Sequence, residues 1–317
     1  LQTPVRNNQL AYPSTLMLSH LLKEQPKSIE NNLVYNYSEQ SDSSKFYDEL
    51  FSDTKTKQIK PEFFDKVKTE SKVAQNSIGK IEEVVAFIEK HQLTDSITIE
   101  IGGGVFQGRS ANAYKRLNNY YPLDISASSI RRYSDTFNMP GIIADATKLP
   151  FKDNSVDFIF THTFLEHPIT PDAVVKEIAR VLKPGGYILH LDAWFCRWWH
   201  RYGVVNLKPR SKMTFGEKMI DTGAKITEFK LIRIPPIIIK RFFKEVFSST
   251  KDPIELSYKK LQPNYDLHLA CDEDAASSID PLDVIRFYES NGFKTEQPLS
   301  LKQRLFYPNK LVVMRKK

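Results

Sequence analysis

Glu100 stands two residues ahead of three consecutive glycines, Gly102, Gly103 and Gly104, at the end of the run Ile97-Thr-Ile-Glu-Ile101. A short β-branched run that stops at glycines reads as a buried strand entering a tight turn. Glycine there permits a positive φ and lets a ligand approach the main chain. If a helix follows, its unpaired N–H groups point back at whatever lies over the turn. This is the layout of a nucleotide-type cofactor site, in which an acid about 20 residues further on, here Asp124, accepts the ribose hydroxyls of an adenosine. The glycines alone do not decide the ligand. The spacing G-x-G-x-x-G needs glycine at position 107, where the chain has Gln107. The spacing acid-x-G-x-G-x-G is met by Glu100, Gly102 and Gly104 but has Phe106 at its third glycine. Asp124 equally suits an N-cap-like role before a helix over Ala127–Phe137.

The elements that must position these residues alternate. Tyr121–Ser126, Gly141–Asp145, Ser155–Thr161 and Tyr187–Asp192 read as strands, and Ser110–Tyr120, Ala127–Phe137 and Pro171–Leu182 as helices. Upstream, Glu62–Gln92 reads as helical, with Ile81, Val84, Val85 and Ile88 on one face. Strands alternating with helices predict an α/β fold with a doubly wound, Rossmann-like parallel sheet. Late in the chain, Asp280–Asn291 reads as a helix with proline at its first turn and Gly292 past its end. Phe293–Pro298 and Lys310–Arg315 then read as a closing C-terminal antiparallel strand pair.

The domain boundaries expected are a partly irregular leader over 1–60, with short elements at Ala11–Leu22 and Ser44–Phe51, a cofactor-binding core over 61–192, an α-rich insertion over 193–278, and a return of the core over 279–317. The chain has 317 residues, ample for such a core, and its 41% hydrophobic and 26% charged shares are ordinary for a globular protein. Its net charge of +7 suits an anionic partner without demanding one. Two cysteines, Cys196 and Cys271, give neither a disulfide framework nor a zinc spacing and fit a reducing compartment. No apolar run approaches the roughly 20 residues needed to cross a bilayer, and the first residues show no signal peptide. A cytoplasmic location without a bound metal is the expectation.

Further residues narrow the ligand. The chain reads Asp145-Ala-Thr-Lys-Leu-Pro-Phe-Lys-Asp-Asn-Ser-Val-Asp157, then Phe164-Leu-Glu-His167, then Glu177-Ile-Ala-Arg-Val-Leu-Lys-Pro-Gly-Gly186. From Ile97 to Asp192 it resembles the class I S-adenosylmethionine-dependent methyltransferases, in particular the methyltransferase type 11-like group. The resemblance implies S-adenosyl-L-methionine as cofactor. By position it implies that Glu100 and Gly102–Gly104 line the methionine part, and that Asp124 and Ile125 bind the ribose side. It likewise implies that Asp145 accepts from the adenine amino group, that the Ala146 N–H faces the ring, and that Thr161 and His162 edge the sulfonium and the substrate opening. Phe106 departs from the family pattern. Lys183-Pro-Gly-Gly186 is expected as a structural turn.

A methyl on a sulfonium is already activated, so the protein mainly positions an acceptor and excludes water. A hydroxyl acceptor needs a base, for which His162, Asp192 and His167 are the candidates; His190, inside a strand, reads as structural. The insertion opens with Trp194-Phe-Cys-Arg-Trp-Trp-His-Arg-Tyr202 and continues to Ile232-Arg-Ile-Pro-Pro-Ile-Ile-Ile-Lys-Arg-Phe-Phe-Lys-Glu-Val-Phe247. Basic residues among aromatics suit an anionic surface, either nucleic acid or membrane. The plainer reading is a small helical lid with an aromatic core and a solvated basic face. The acids of Asp272–Asp280 lack metal spacing and read as a loop capping the next helix. The expected function is methyl transfer to a small-molecule, glycan or lipid-linked acceptor. The alternatives are an RNA methyltransferase using the insertion, or a non-catalytic protein that keeps the fold.

Overall fold

The computed structural model describes residues 20–24, 28–30, 33–35, 42–51, 82–103, 116–137, 140–202, 209–247, 253–265, 274–307 and 311–317. Gly104, Phe106, Cys271, most of Ala11–Leu22 and of Glu62–Gln92, and the start of the expected Ser110–Tyr120 helix lie outside them. The chain divides into two units, Leu1–Asp145 with Pro150–Phe158, and Ala146–Leu149 with Ile159–Lys317.

Unit 1 is built on a sheet of order β1-β2-β5-β4-β3. Its strands are β1 (Ser28–Glu30), β2 (Leu33–Tyr35), β3 (Ile97–Ile101), β4 (Asn119–Asp124) and β5 (Gly141–Ile143). Strands β3, β4, β5 and β2 run parallel, and only β1 is antiparallel to its neighbour. Helix α1 (Asp42–Phe51), a helical run over 82–90 (α2) and helix α3 (Ala127–Phe137) complete the unit. The core joins Ile99 and Ile101 of β3, Tyr121 and Leu123 of β4, Ile142 and Ile143 of β5 and Val84 and Ile88 of α2, all fully buried or nearly so. These are residues that fill the two covered faces of a parallel sheet. The leader was expected to be partly irregular, yet it supplies β1 and β2. Three-residue strands carry too little periodicity to be read, and β2 is a strand because it pairs with β5. Strand β4 begins two residues before its expected start, so Asn119 and Tyr120 are strand rather than helix end.

Unit 2 carries the strand order β6-β7-β11-β10, from β6 (Val156–His162, of which Ile159–His162 belong to this unit), β7 (Leu182–Leu191), β10 (Phe293–Lys294) and β11 (Val312–Lys316). Its helices are α4 (Pro171–Val181), α5 (Phe215–Thr227), α6 (Lys230–Phe247), α7 (Pro281–Ser290) and the short α8 (Leu301–Leu305). Strand β11 runs antiparallel to both β7 and β10, the closing pair expected from the sequence. A separate antiparallel pair joins β8 (Tyr258–Lys260) and β9 (Ser277–Ile279). The expected turn at Lys183–Gly186 lies inside β7, with Gly185 at a φ of +81°. Helix α4 packs Val174, Val175, Ile178 and Val181 inward, at helical spacing. Asp280 caps α7 by accepting from the Leu282 N–H at 2.9 Å, as the acidic loop suggested.

Candidate active site

In unit 1 the expected cofactor residues fall at the carboxyl ends of three adjacent parallel strands. Glu100 and the glycine turn close β3, Asp124 ends β4, and Asp145 lies two residues past β5. Ligands of open parallel sheets bind outside that edge. Gly102 takes a φ of +78°, which an L side chain resists. The Gly102 and Gly103 N–H groups both donate to the Leu123 carbonyl, at 2.8 and 3.1 Å, so the turn is tied to the end of β4. A Cβ on Gly103 would stand 2.8 Å from the Pro122 Cβ, and only glycine allows this approach. Glu100 is fully buried, and its carboxylate accepts from the Tyr120 hydroxyl.

Asp124 is half-buried, with Ile125 beside it; its Oδ1 accepts from the Ser126 N–H at 2.9 Å, and its carbonyl accepts from the Ala144 N–H at 3.0 Å. The N-cap role weighed for Asp124 belongs to other residues. Ser126 Oγ accepts from the Ser129 N–H at 3.1 Å, and Asp48 of α1 accepts from the Ser128 N–H and the Ser126 hydroxyl, both at 3.0 Å. Two acceptors thus serve the first turn of α3. Asp48 has no sequence signal for this, since it reaches across from the leader.

In unit 2, Ala146 opens a 3-10 turn, Ala146–Lys148. Thr161 is buried near the end of β6, where its hydroxyl donates to Asp192 Oδ2 at 2.7 Å and lies 2.8 Å from His190 Nδ1. Asp192 Oδ2 is also 3.0 Å from His190 Nδ1, and Asp192 Oδ1 accepts from the Phe164 N–H at 3.0 Å. Burial opposes ionisation of Asp192, yet His190, Thr161 and the Phe164 N–H outweigh it and hold the carboxyl below its ordinary 3.8. An ionised Asp192 requires a proton on His190 Nδ1, while His190 Nε2 lies 3.1 Å from the Tyr288 hydroxyl. Burial and the Asp192 charge push the Tyr288 phenol well above its ordinary 10.0, so it keeps its proton.

The base candidates therefore differ. Asp192 is buried with both oxygens engaged, and His162 is buried at the end of β6. His167 keeps 20% of its side chain exposed, with Nδ1 3.2 Å from Asp274 Oδ2 and Nε2 3.7 Å from Glu166 Oε1. Its loop is pinned by the Ala276 and Ser277 N–H groups, which donate to the Glu166 carbonyl at 2.9 Å. Asp274 and Tyr288 are partners that sequence reasoning missed, since each is far along the chain from the histidine it meets. Among the described residues, no group of His, Cys, Asp and Glu could hold a metal ion.

The Methyltransferase domain family matches residues 99–190. Residues 99–190 are a class I methyltransferase domain. The chain is similar to the malonyl-[acyl-carrier protein] O-methyltransferase of Marinomonas sp. (strain MWYL1), at 30% identity over 115 residues, covering 34% of this chain and 42% of that protein. It is also similar to the ubiquinone/menaquinone biosynthesis C-methyltransferase UbiE of Laribacter hongkongensis (strain HLHK9), at 33% identity over 103 residues, covering 30% and 41%. The chain thus spans less than half the length of these curated relatives. Among solved structures it is similar to the YcgJ protein from Bacillus subtilis, with a TM-score of 0.38 and 13% identity over 74% of this chain and 77% of that one. The methyltransferase domain contains Glu100, the glycine turn, Asp124, Asp145, Thr161 and His190. Its family implies S-adenosylmethionine, and the residues of unit 1 fit that group: the glycine turn brings bare backbone to the sheet edge, with the Asp124 carboxylate fixed on the next strand.

Proposed function

We propose that this chain transfers the methyl group of S-adenosylmethionine to a small-molecule, glycan or lipid-linked acceptor. The observation that carries this reading is the set of Glu100, Asp124 and Asp145 at the ends of three neighbouring parallel strands, beside a turn that only glycine can make. Asp124 would hold the ribose hydroxyls and Asp145 the adenine amino group, with Gly102 and Gly103 leaving room for the methionine part. The bound cofactor supplies an activated methyl group. The protein's contribution is to orient the acceptor and exclude water. Both named relatives are methyltransferases, one for a malonyl-acyl carrier and one for quinone biosynthesis, which favours a small or carrier-linked acceptor.

For a hydroxyl acceptor, His167 is the base we assign. It is the candidate with solvent access, and the Asp274 carboxylate beside Nδ1 steadies the imidazolium that proton uptake creates. The test is calorimetric titration with S-adenosylmethionine, with NAD as control. Micromolar binding of the first alone, lost in Asp124→Ala and in Gly102→Val, is the expected result. Unchanged binding in both variants would overturn the assignment of the site.

A further inference from the structure

Helix α6 is turned inside out. It is an 18-residue helix, Lys230–Phe247, and its one buried residue is Arg241. At 3.6 residues per turn, Leu231, Ile232, Ile239, Phe242, Phe243 and Val246 fall on one arc of about 120°. All six are exposed, Leu231 to 78%. The opposite arc mixes the half-buried Ile237 and Ile238 with Arg233, Arg241, Lys244 and Glu245, and meets the rest of unit 2 partly through ion pairs. Arg241 makes a bidentate pair with Asp280, at 2.8 and 3.0 Å, and donates to the Leu305 and Tyr307 carbonyls. Lys244 pairs with Asp283, Glu245 with Arg286, and Arg233 with Glu228. The preceding helix repeats the pattern, with Phe215, Met219 and Ile226 of α5 and Phe229 after it exposed. A run of apolar side chains this large exceeds what a monomer normally leaves in water.

We propose that this face of α6 lies in the surface of an anionic lipid membrane. The charges choose the occupant. Lys225, Lys230 and Lys240 are exposed on the two helices, as are Arg210 and Lys212 just before them. None of the four acids of this stretch is exposed. Glu217 is held in the N-cap of α5, Asp221 by Arg210 and Lys225, Glu228 by Arg197 and Arg233, and Glu245 by Arg286. Arg210 and Lys225 share Asp221, and Lys240 Nζ lies 3.9 Å from Asp283 Oδ2, yet residues 210–247 hold nine Lys and Arg against four acids, so an exposed apolar arc sits on a cationic stretch, the composition of a helix lying at a lipid interface. A second copy across a twofold axis would set one cationic stretch against another. A nucleic acid offers nothing to the aliphatic Leu231, Ile232, Ile239 and Val246. Among the described residues no helix is long and apolar enough to cross a membrane, so α6 would lie on the surface. The proposal rests on unit 2 alone and stands whichever acceptor is methylated.

The test is sedimentation of the full chain with sucrose-loaded vesicles of phosphatidylcholine alone, or with about a quarter phosphatidylglycerol. Binding to the mixed vesicles is expected, weaker on the neutral ones by about fivefold for each lysine engaged. Leu231→Glu with Phe243→Glu should lower binding at least about tenfold. Both side chains are exposed, so the thermal midpoint should hold. Lys230→Glu with Lys240→Glu should remove the preference for phosphatidylglycerol while leaving neutral-vesicle binding. A chain that stays in the supernatant with both vesicles would overturn the proposal. So would undiminished binding by the Leu231/Phe243 variant, or a dimer in solution that this variant converts to monomer. RNA binding that this variant abolishes, with vesicles ignored, would assign the face to nucleic acid instead.

Discussion

Asp192→Ala would remove the one acceptor shared by three donors at the ends of β6 and β7. In the intact protein the Thr161 hydroxyl, His190 Nδ1–H and Phe164 N–H all reach its carboxylate, at 2.7, 3.0 and 3.0 Å. Thr161 and His190 lie 2.8 Å apart, so a change of imidazole tautomer lets them bond each other after the substitution. The Phe164 N–H has no such recourse. An orphaned buried donor costs about 1–3 kcal/mol, and each lost bond to a charged acceptor about 1.5–3 kcal/mol. The relieved desolvation of the carboxylate offsets part of this. A net loss of about 3 kcal/mol follows, or roughly 6–12 °C in melting temperature at 2–4 °C per kcal/mol. The pH dependence has a definite sign. The folded pKa of Asp192 is below its ordinary value, so the stabilisation is fully present above the unfolded pKa of 3.8 and is lost as pH falls through the lower folded value. Urea unfolding of both proteins, followed by circular dichroism from neutral pH to about pH 3, should show a constant gap that narrows only below the ordinary carboxylate range. A gap under about 1 kcal/mol at neutral pH, or one that closes between neutrality and pH 5, would refute an ionised Asp192 as the shared acceptor.

Arg241→Met leaves the Asp280 carboxylate without its guanidinium partner and two carbonyls without the Arg241 donor, and should destabilise by about 3–5 kcal/mol in urea unfolding; a loss below about 1 kcal/mol would mean that the pair is not held from water. Gly103→Ala drives a methyl against Pro122, at 2.8 Å, and should cost about 1–3 kcal/mol together with weaker S-adenosylmethionine binding. A variant that melts and binds like the parent would show that β4 yields there. The Tyr121 hydroxyl is buried without a hydrogen-bond partner among the described residues, and burial pushes its pKa up to about 12. Tyr121→Phe should therefore be neutral or stabilise by up to about 1 kcal/mol, and should remove a phenol that ionises late in an alkaline absorbance titration. A clear destabilisation would reveal a partner for the hydroxyl.

Much of the fold was legible because its signals are local. The β-branched run ending at Gly102, the apolar face of α4 and the Asp-Pro start of α7 each sit within a few residues of the feature they specify. Strands β1 and β2 were not legible, because a three-residue strand exists only through its partner. The insertion is the clearest departure. Its sequence suggested a lid with an aromatic core and a solvated basic face. The structure buries Arg241 of α6 against Asp280 and leaves Leu231, Ile239, Phe242 and Phe243 in water, beside the exposed Lys225, Lys230 and Lys240. The period of the pattern fixes which residues share a face but leaves open which face is covered.

The same division runs through the candidate site. The sequence by itself determined the methyltransferase core, the glycine turn after Glu100, and the acids that close β4 and follow β5. Backbone geometry and strand ends are set by neighbours in the chain. Only the tertiary structure decided what each side chain is able to do. Asp192 and His190 are drawn into a buried network with Thr161 and Tyr288, while His167 meets Asp274 and keeps contact with water. A residue's type fixes the groups it carries. Its protonation, partners and exposure come from residues that only folding brings beside it.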